Sequence, residues 1–319
     1  MKENNKSTVT EFYLLGFSVS DEGAQCLFLF ILIVYILTIS VNTFIFVIII
    51  NDQHLHKPMY FFIAGLSFLE IWYPSVTVPR LLWDLKTRQK SISLPVCLTQ
   101  FYFHSSCGAT ENFCLAVMAY DRFVAICNPL RYLTIMNPNT CKKLLMGSWV
   151  CGSLVVVAPC LQISKLSFCN HNEIDHYYCD FAPLVKLSCS DISSVEKTVF
   201  ITACFVILGC FIVIIVSYVF IIHTIMTFSL HFERQRAFST CGAQLIVIFI
   251  FYGTTIFLFL RSSTGDFLHV NKILSVFPSI VVPFLNPIIY TLRNKEVKVS
   301  MKKTFQRIRS LVGGFSALH

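Results

Sequence analysis

Glu70 and Glu111 are carboxylates set mid-way along two apolar runs, and Asn42 and Asn286 are amides at comparable depth in two others. An ionised side chain at the centre of a lipid-embedded helix costs about 2.5–3.5 kcal/mol or more, so such groups face partners or a wet interior. If the four converge they form one buried polar cluster. Two carboxylates brought close share a proton or hold a cation. The plainer alternative is a hydrogen-bonded network with one or both acids protonated.

A second charged feature, Asp121-Arg122, closes the apolar run that begins near Phe101. Its charges belong where a helix leaves the bilayer, or against other helices. His176-Tyr177-Tyr178-Cys179-Asp180 holds metal-ligand residue types, but a disulfide at Cys179 would consume the thiol, so no metal is expected there. No Gly-rich phosphate loop, HExxH pair or nucleophile elbow appears, so no enzyme is expected and no catalytic residue is named.

The elements that carry these groups follow from composition. The 319 residues are 55% hydrophobic and 13% charged, against about 45–50% and about 25% in soluble domains. Seven runs reach the roughly 20 apolar residues that span a bilayer: Gln25–Ile50, Pro58–Leu82, Phe101–Val124, Lys143–Ile163, Lys197–Phe228, Phe238–Leu260 and Lys272–Leu292. The expected fold is therefore all-α, a seven-transmembrane helix bundle. Alternating strands of a membrane barrel and the inverted repeats of many transporters are not visible; a transporter or channel is the distant alternative.

Residues 1–25 read as a polar, mobile extracellular segment without a cleavable signal sequence, residues 26–292 as the seven-transmembrane domain, and residues 293–319 as a basic cytoplasmic tail suited to a lipid surface rather than nucleic acid. Lys and Arg are in modest excess on the side that makes the C-terminus cytoplasmic. Most of the 14 cysteines lie in apolar runs, but Cys97, Cys169, Cys179 and Cys189 lie in polar connections. In that orientation they share a side with the Asn5 glycosylation sequon, and that side is oxidising. Three pairings of the four are open. The largest connection, residues 164–196, is extracellular.

Met118-Ala119-Tyr120-Asp121-Arg122-Phe123-Val124-Ala125-Ile126-Cys127 resembles the MAYDRYVAIC motif of olfactory receptors, a branch of the rhodopsin-like G-protein-coupled receptors, with Phe123 for Tyr. Leu55–Phe62 resembles LHxPMYFF, Ser217-Tyr218 the fifth-helix pair, Arg236–Cys241 KAFSTC, Pro283–Tyr290 PxLNPxIY and Thr291–Lys298 TLRNKEVK. The chain departs from the family at Ser40, where Gly is usual, at Glu70, where Asp is usual, and at Gln244, where His is usual.

The resemblance implies a plasma-membrane receptor, in cilia of olfactory neurons, that binds small, largely apolar odorants and activates a stimulatory heterotrimeric G protein to raise cyclic AMP. A rhodopsin-like receptor for a lipid or steroid is the alternative. It implies disulfides Cys97–Cys179 and Cys169–Cys189, a short amphipathic helix after the seventh span, and a sodium ion at Asn42, Glu70, Glu111 and Asn286, with no other cofactor. Coupling falls to Asp121, Arg122, Tyr218, Asn286, Pro287 and Tyr290, with Arg122 held by Asp121 at rest and freed toward Tyr218. The ligand set is His104, Ser105, Gly108, Phe181, Thr202, Val206, Tyr252, Thr255 and Phe259. No acid is identified at the level of this pocket, which argues against a protonated amine as ligand.

Overall fold

The structure, a computed structural model, describes residues 9–169, 172–227, 231–261, 268–293, 296–304 and 306, with backbone alone at 231–233, 236–240, 243, 258–261, 268–270 and 290–293. Asn5 and the side chains of Phe259 and Tyr290 lie outside the described residues, as does most of the basic tail.

Among the described residues the named α-helices run in chain order: α1 (Asp21–Asn51), α2 (Pro58–Thr87), α3 (Leu94–Cys127), α4 (Tyr132–Ile135), α5 (Pro138–Ile163), α6 (Phe181–Val185), α7 (Ser193–Thr227), α8 (His231–Arg261), α9 (Leu268–Leu274) and α10 (Val282–Arg293). A π-helical turn, Phe277–Val281, joins the last two into the seventh long segment. The result is a seven-helix bundle with α3 at its centre, packed against α2, α5, α7 and α8. Asp21–Asn51, Pro58–Thr87, Pro138–Ile163, Ser193–Thr227 and Asn271–Ile289 have the length and apolarity of membrane spans. Leu94–Cys127 qualifies together with Pro129–Ile135, from which it is bent by 113°. Phe30, Ile201, Phe205 and Phe249 are exposed on the bundle, as suits a surface whose solvent is lipid.

The helices outrun the apolar stretches because polar residues cap them. Ser20 accepts the Gly23 N–H at the start of α1, with Asp21 and Glu22 in the first turn, both favourable to the positive end of the helix dipole. Asn137 caps α5 by accepting the Thr140 N–H at 2.9 Å, with Pro138 at the first helical position, where proline loses no hydrogen bond.

From residue 9 onward the N-terminal segment is not the mobile tail expected. Glu11–Leu14 forms β1, the central strand of a three-stranded sheet with β2 (Ser91–Ser93) and β3 (Glu173–Ile174). It pairs antiparallel with β2, Phe12 opposite Ile92, and parallel with β3, Leu14 opposite Ile174. The sequence Glu-Phe-Tyr-Leu alternates: Phe12 and Leu14 are buried, Glu11 and Tyr13 exposed, the period of two that a half-buried strand requires. Lipid-facing apolarity dominates the neighbouring runs and hides this short pattern.

The disulfides are Cys97–Cys179 and Cys169–Cys189, the pairs the resemblance implies. The first ties the N-terminal end of α3 to the loop between α5 and α7. At the opposite end, helical residues 296–304 present Lys298, Lys302 and Lys303 outward and bury Val297 and Ser300. Lys57 pairs with Glu296 at 2.7 Å, Tyr60 donates to the same carboxylate at 3.0 Å, and Ser300 donates to Asp52. The segment after the seventh helix is thus pinned to the α1–α2 connection.

Candidate functional site

A cavity of about 360 Å³ opens between α2, α3, α5, α7, α8 and the seventh segment, roofed by the loop that carries Cys179. Its α3 wall is one helical stripe, His104, Ser105, Gly108, Ala109 and Asn112, set by the three- and four-residue spacing of a helix face. Gly108 lets α2 come close: a Cβ there would lie 3.1 Å from the Tyr73 hydroxyl. Phe181, Thr202, Val206 and Thr255 also line the space. Seven of the nine expected ligand residues therefore meet in one cavity.

Tyr252 stands outside this set. It is buried, but it packs on Phe211 with ring centroids 5.1 Å apart and does not line the cavity, whereas its neighbour Phe251 does. One residue is about 100° of rotation on an α-helix, enough to turn one ring inward and the other between α7 and α8.

Sequence reasoning missed much of the roof and floor. Tyr73, Asn112, His176, Tyr178, Asp180, Asn271 and Ser275 all line the space. The presence of Asp180 corrects the expectation that no acid stands at this level. Asn112 Nδ2 donates to the Gly108 carbonyl at 2.9 Å, leaving its Oδ1 buried without a partner; His104 Nδ1 and Asn271 Oδ1 are likewise unsatisfied. The mid-helix position of Asn112, one residue from Glu111, was the available signal.

The roof is fastened to the seventh segment. His176 Nε2 lies 3.2 Å from the Ser275 hydroxyl, Tyr177 OH 2.8 Å from Ser279 Oγ, and Lys272 Nζ bonds Asp175 and the Gly16 carbonyl. Gln100 on α3 accepts the Cys179 N–H at 3.0 Å. Tyr178 packs on His104, ring centroids 4.3 Å apart. Burial, with His104 and Lys272 nearby, pushes His176 down to about 3, so its imidazole is neutral. Burial pushes Asp180 up to about 6, against the backbone N–H of Phe181 and the Tyr178 hydroxyl that favour its charge.

Below the cavity three of the four mid-helix polar residues converge. Asn286 Nδ2 donates to Glu70 and lies 3.5 Å from Glu111 Oε1, all three buried. The outer oxygens, Glu70 Oε2 and Glu111 Oε2, have no partner. Asn42 stands apart from them, bonded to the Thr38 and Pro283 carbonyls. Pro287 has no N–H to donate back to the Pro283 carbonyl, and Asn42 Nδ2 supplies the missing donor at 3.1 Å.

At the far end of α3, Arg122 pairs with Asp121 Oδ2 at 3.0 Å, and Tyr132 donates to Oδ1 at 2.9 Å. Tyr218 is buried nearby on α7, and its hydroxyl has no hydrogen-bond partner, so Arg122 and Tyr218 are not bonded here. Pro287 sits within α10 as expected.

Comparisons with known proteins agree with this geometry. A family model described as olfactory receptor matches residues 30–307. The chain is 45% identical to human olfactory receptor 6F1 over 96% of its length and 99% of that protein. It is 46% identical to rat olfactory receptor 287 over 94% of its length and 96% of that protein. The crystal structure of squid rhodopsin superposes with a TM-score of 0.70 at 15% identity, covering 92% of this chain and 88% of that one.

Proposed function

The chain belongs to the olfactory receptor family, and we propose that it detects small, largely apolar volatile odorants in the roofed cavity and signals through a stimulatory, olfactory-type G protein that raises cyclic AMP. Family and fold make it a multi-pass plasma-membrane receptor with a small-molecule ligand and a G-protein partner, not an enzyme.

The cavity carries the reading: about 360 Å³, walled by Phe101, Val156, Val206 and Phe251 among a few hydrogen-bonding groups, the usual make-up of a small-ligand site. Its roof bears the disulfide Cys97–Cys179, which supports an extracellular roof and N-terminus, glycosylation at Asn5 and a cytoplasmic Asp121-Arg122. Cilia of olfactory neurons are the proposed location. Signalling then proceeds by population shift: the ligand favours one bundle arrangement, and the cytoplasmic end reports it.

Sodium fits the polar core. The unpartnered oxygens of Glu70 and Glu111 are the hard donors such an ion takes, with Asn286 bridging and Asn42 holding the proline-broken helix. The ion would supply the positive charge that lets both carboxylates ionise. The reading is tested by a panel of volatiles on cells expressing the chain and a stimulatory G protein, read as cyclic AMP. A lipid or steroid that activates where every volatile fails would replace it.

A further inference from the structure

Asp180 is the acid in the cavity wall, and its surroundings leave its charge unmatched. It follows Cys179 directly, so the bridge to Cys97 fixes its place in the roof. Its hydrogen-bond donors are neutral, the Phe181 N–H and the Tyr178 hydroxyl. Among the described residues neither Lys nor Arg lines the cavity, and no ion pair reaches Asp180. Lys272, buried under the same roof, is committed to Asp175 and the Gly16 carbonyl. Asp180 is only half-buried, and it borders the cavity.

The rest of the lining repeats this bias. Asn112 must turn Nδ2 toward the Gly108 carbonyl, which can only accept, so its free atom is the oxygen. Asn271 also leaves an oxygen unpaired, and His104 leaves Nδ1. Two amide oxygens thus lack donors and the carboxylate lacks a countercharge, while among the described residues the lining offers no cation.

On the reading of this cavity as the odorant site, we infer that it selects protonated primary amines, the ammonium bound to the Asp180 carboxylate and the alkyl body laid against Phe101, Val156 and Phe251. An ammonium brings three donors and the missing charge to a half-buried carboxylate, where ion pairing is stronger than in free solution. A carboxylic acid ionised at neutral pH would meet Asp180 with like charge. An aldehyde brings only an acceptor to a site already rich in them. The raised but sub-neutral pKa of Asp180, about 6, leaves it ionised at neutral pH.

The test compares octylamine, 1-octanol, octanal and octanoic acid on cells expressing the full chain, with surface staining for every variant. Octylamine should be at least tenfold more potent than 1-octanol. Asp180→Asn keeps an acceptor for Tyr178 and removes the charge; it should cost octylamine at least tenfold in potency while shifting 1-octanol less than threefold. Asp180→Glu should retain the amine preference. Equal potency of amine and alcohol, or an undiminished amine response in surface-expressed Asp180→Asn, overturns the inference and leaves the odorant reading standing. Silence to octylamine beside a response to other volatiles does the same; silence of the surface-expressed chain to every volatile overturns both.

Discussion

Tyr132 donates its phenol hydroxyl to Oδ1 of Asp121 at 2.9 Å while Arg122 occupies Oδ2 at 3.0 Å. The buried aspartate is therefore shared between the arginine beside it and a tyrosine on α4, beyond the bend that follows α3. Tyr132 was not among the residues named from sequence, because its place depends on the bend after Cys127.

Removing that hydroxyl leaves a buried carboxylate oxygen unsatisfied, at a cost of about 1–3 kcal/mol, and loosens Asp121 from its resting position. Tyr132→Phe should raise basal cyclic AMP about fivefold at equal surface expression, since ~1 kcal/mol shifts a two-state population by that factor. Arg122→Ala, at equal surface expression, should abolish the odorant response. Unchanged basal signalling in the first variant would show that Tyr132 does not restrain the latch.

The carboxylates at the core give a second outcome. Replacing sodium by choline should lower the melting temperature of the purified receptor, and Glu111→Gln or Glu70→Gln should erase that difference. A ligand at a hundredfold its dissociation constant stabilises by about 2.7 kcal/mol. No difference between sodium and choline in the parent receptor would point to a shared proton in place of the ion, and a difference that persists in both variants would place the ion elsewhere.

Asn42 supplies a donor that proline withholds. Asn42→Ala should destabilise the bundle by about 1–3 kcal/mol, because the Pro283 carbonyl is buried with nothing to bond. Asn42→Asp, whose ionised carboxylate only accepts, should not rescue it. Thermal unfolding of the detergent-solubilised receptor measures both.

The two disulfides should differ in weight. Cys97 and Cys179 are 82 residues apart, Cys169 and Cys189 only 20. Loop closure then stabilises by about 4–5 kcal/mol in the first case and about 3 kcal/mol in the second. Surface staining should fall further for Cys97→Ser than for Cys169→Ser.

The roof sets a pH dependence with two opposed parts. His176 is held near 3 against an ordinary 6.5, so below pH 6.5 the unfolded chain binds the proton first and stability falls on acidification. Asp180 is held near 6 against 3.8, so the folded chain binds its proton first and acidification through pH 6 stabilises. Melting temperatures between pH 7.5 and 5 should therefore drop less in His176→Gln than in the parent, and more in Asp180→Asn.

How much of this was legible depended on the range of the interaction. Glu70, Glu111, Asn42 and Asn286 stood out because polar groups are conspicuous in apolar helices, and the meeting of Glu70, Glu111 and Asn286 needed only that the helices bundle. The α3 stripe followed from helical spacing. Tyr252 lies off the cavity wall because one step of register separates it from Phe251, a distinction composition does not carry. His176, Tyr178 and Asp180 became cavity residues through a loop fold fixed by a disulfide, a strand pairing and Lys272, none of which is periodic in sequence.

The strand β1 has a consequence in time. It is central in its sheet, and Gly16 just beyond it offers its carbonyl to Lys272, 256 residues later. At a synthesis rate of roughly 5–20 residues per second, that partner emerges roughly 13–50 seconds after the strand. The strand, made long before its partner, is thus among the last elements to be locked, and it waits beside the membrane with Phe12 and Leu14 uncovered. A bulky fusion placed ahead of Val9 would compete at that stage, slowing maturation of the receptor while leaving the finished binding cavity unaltered.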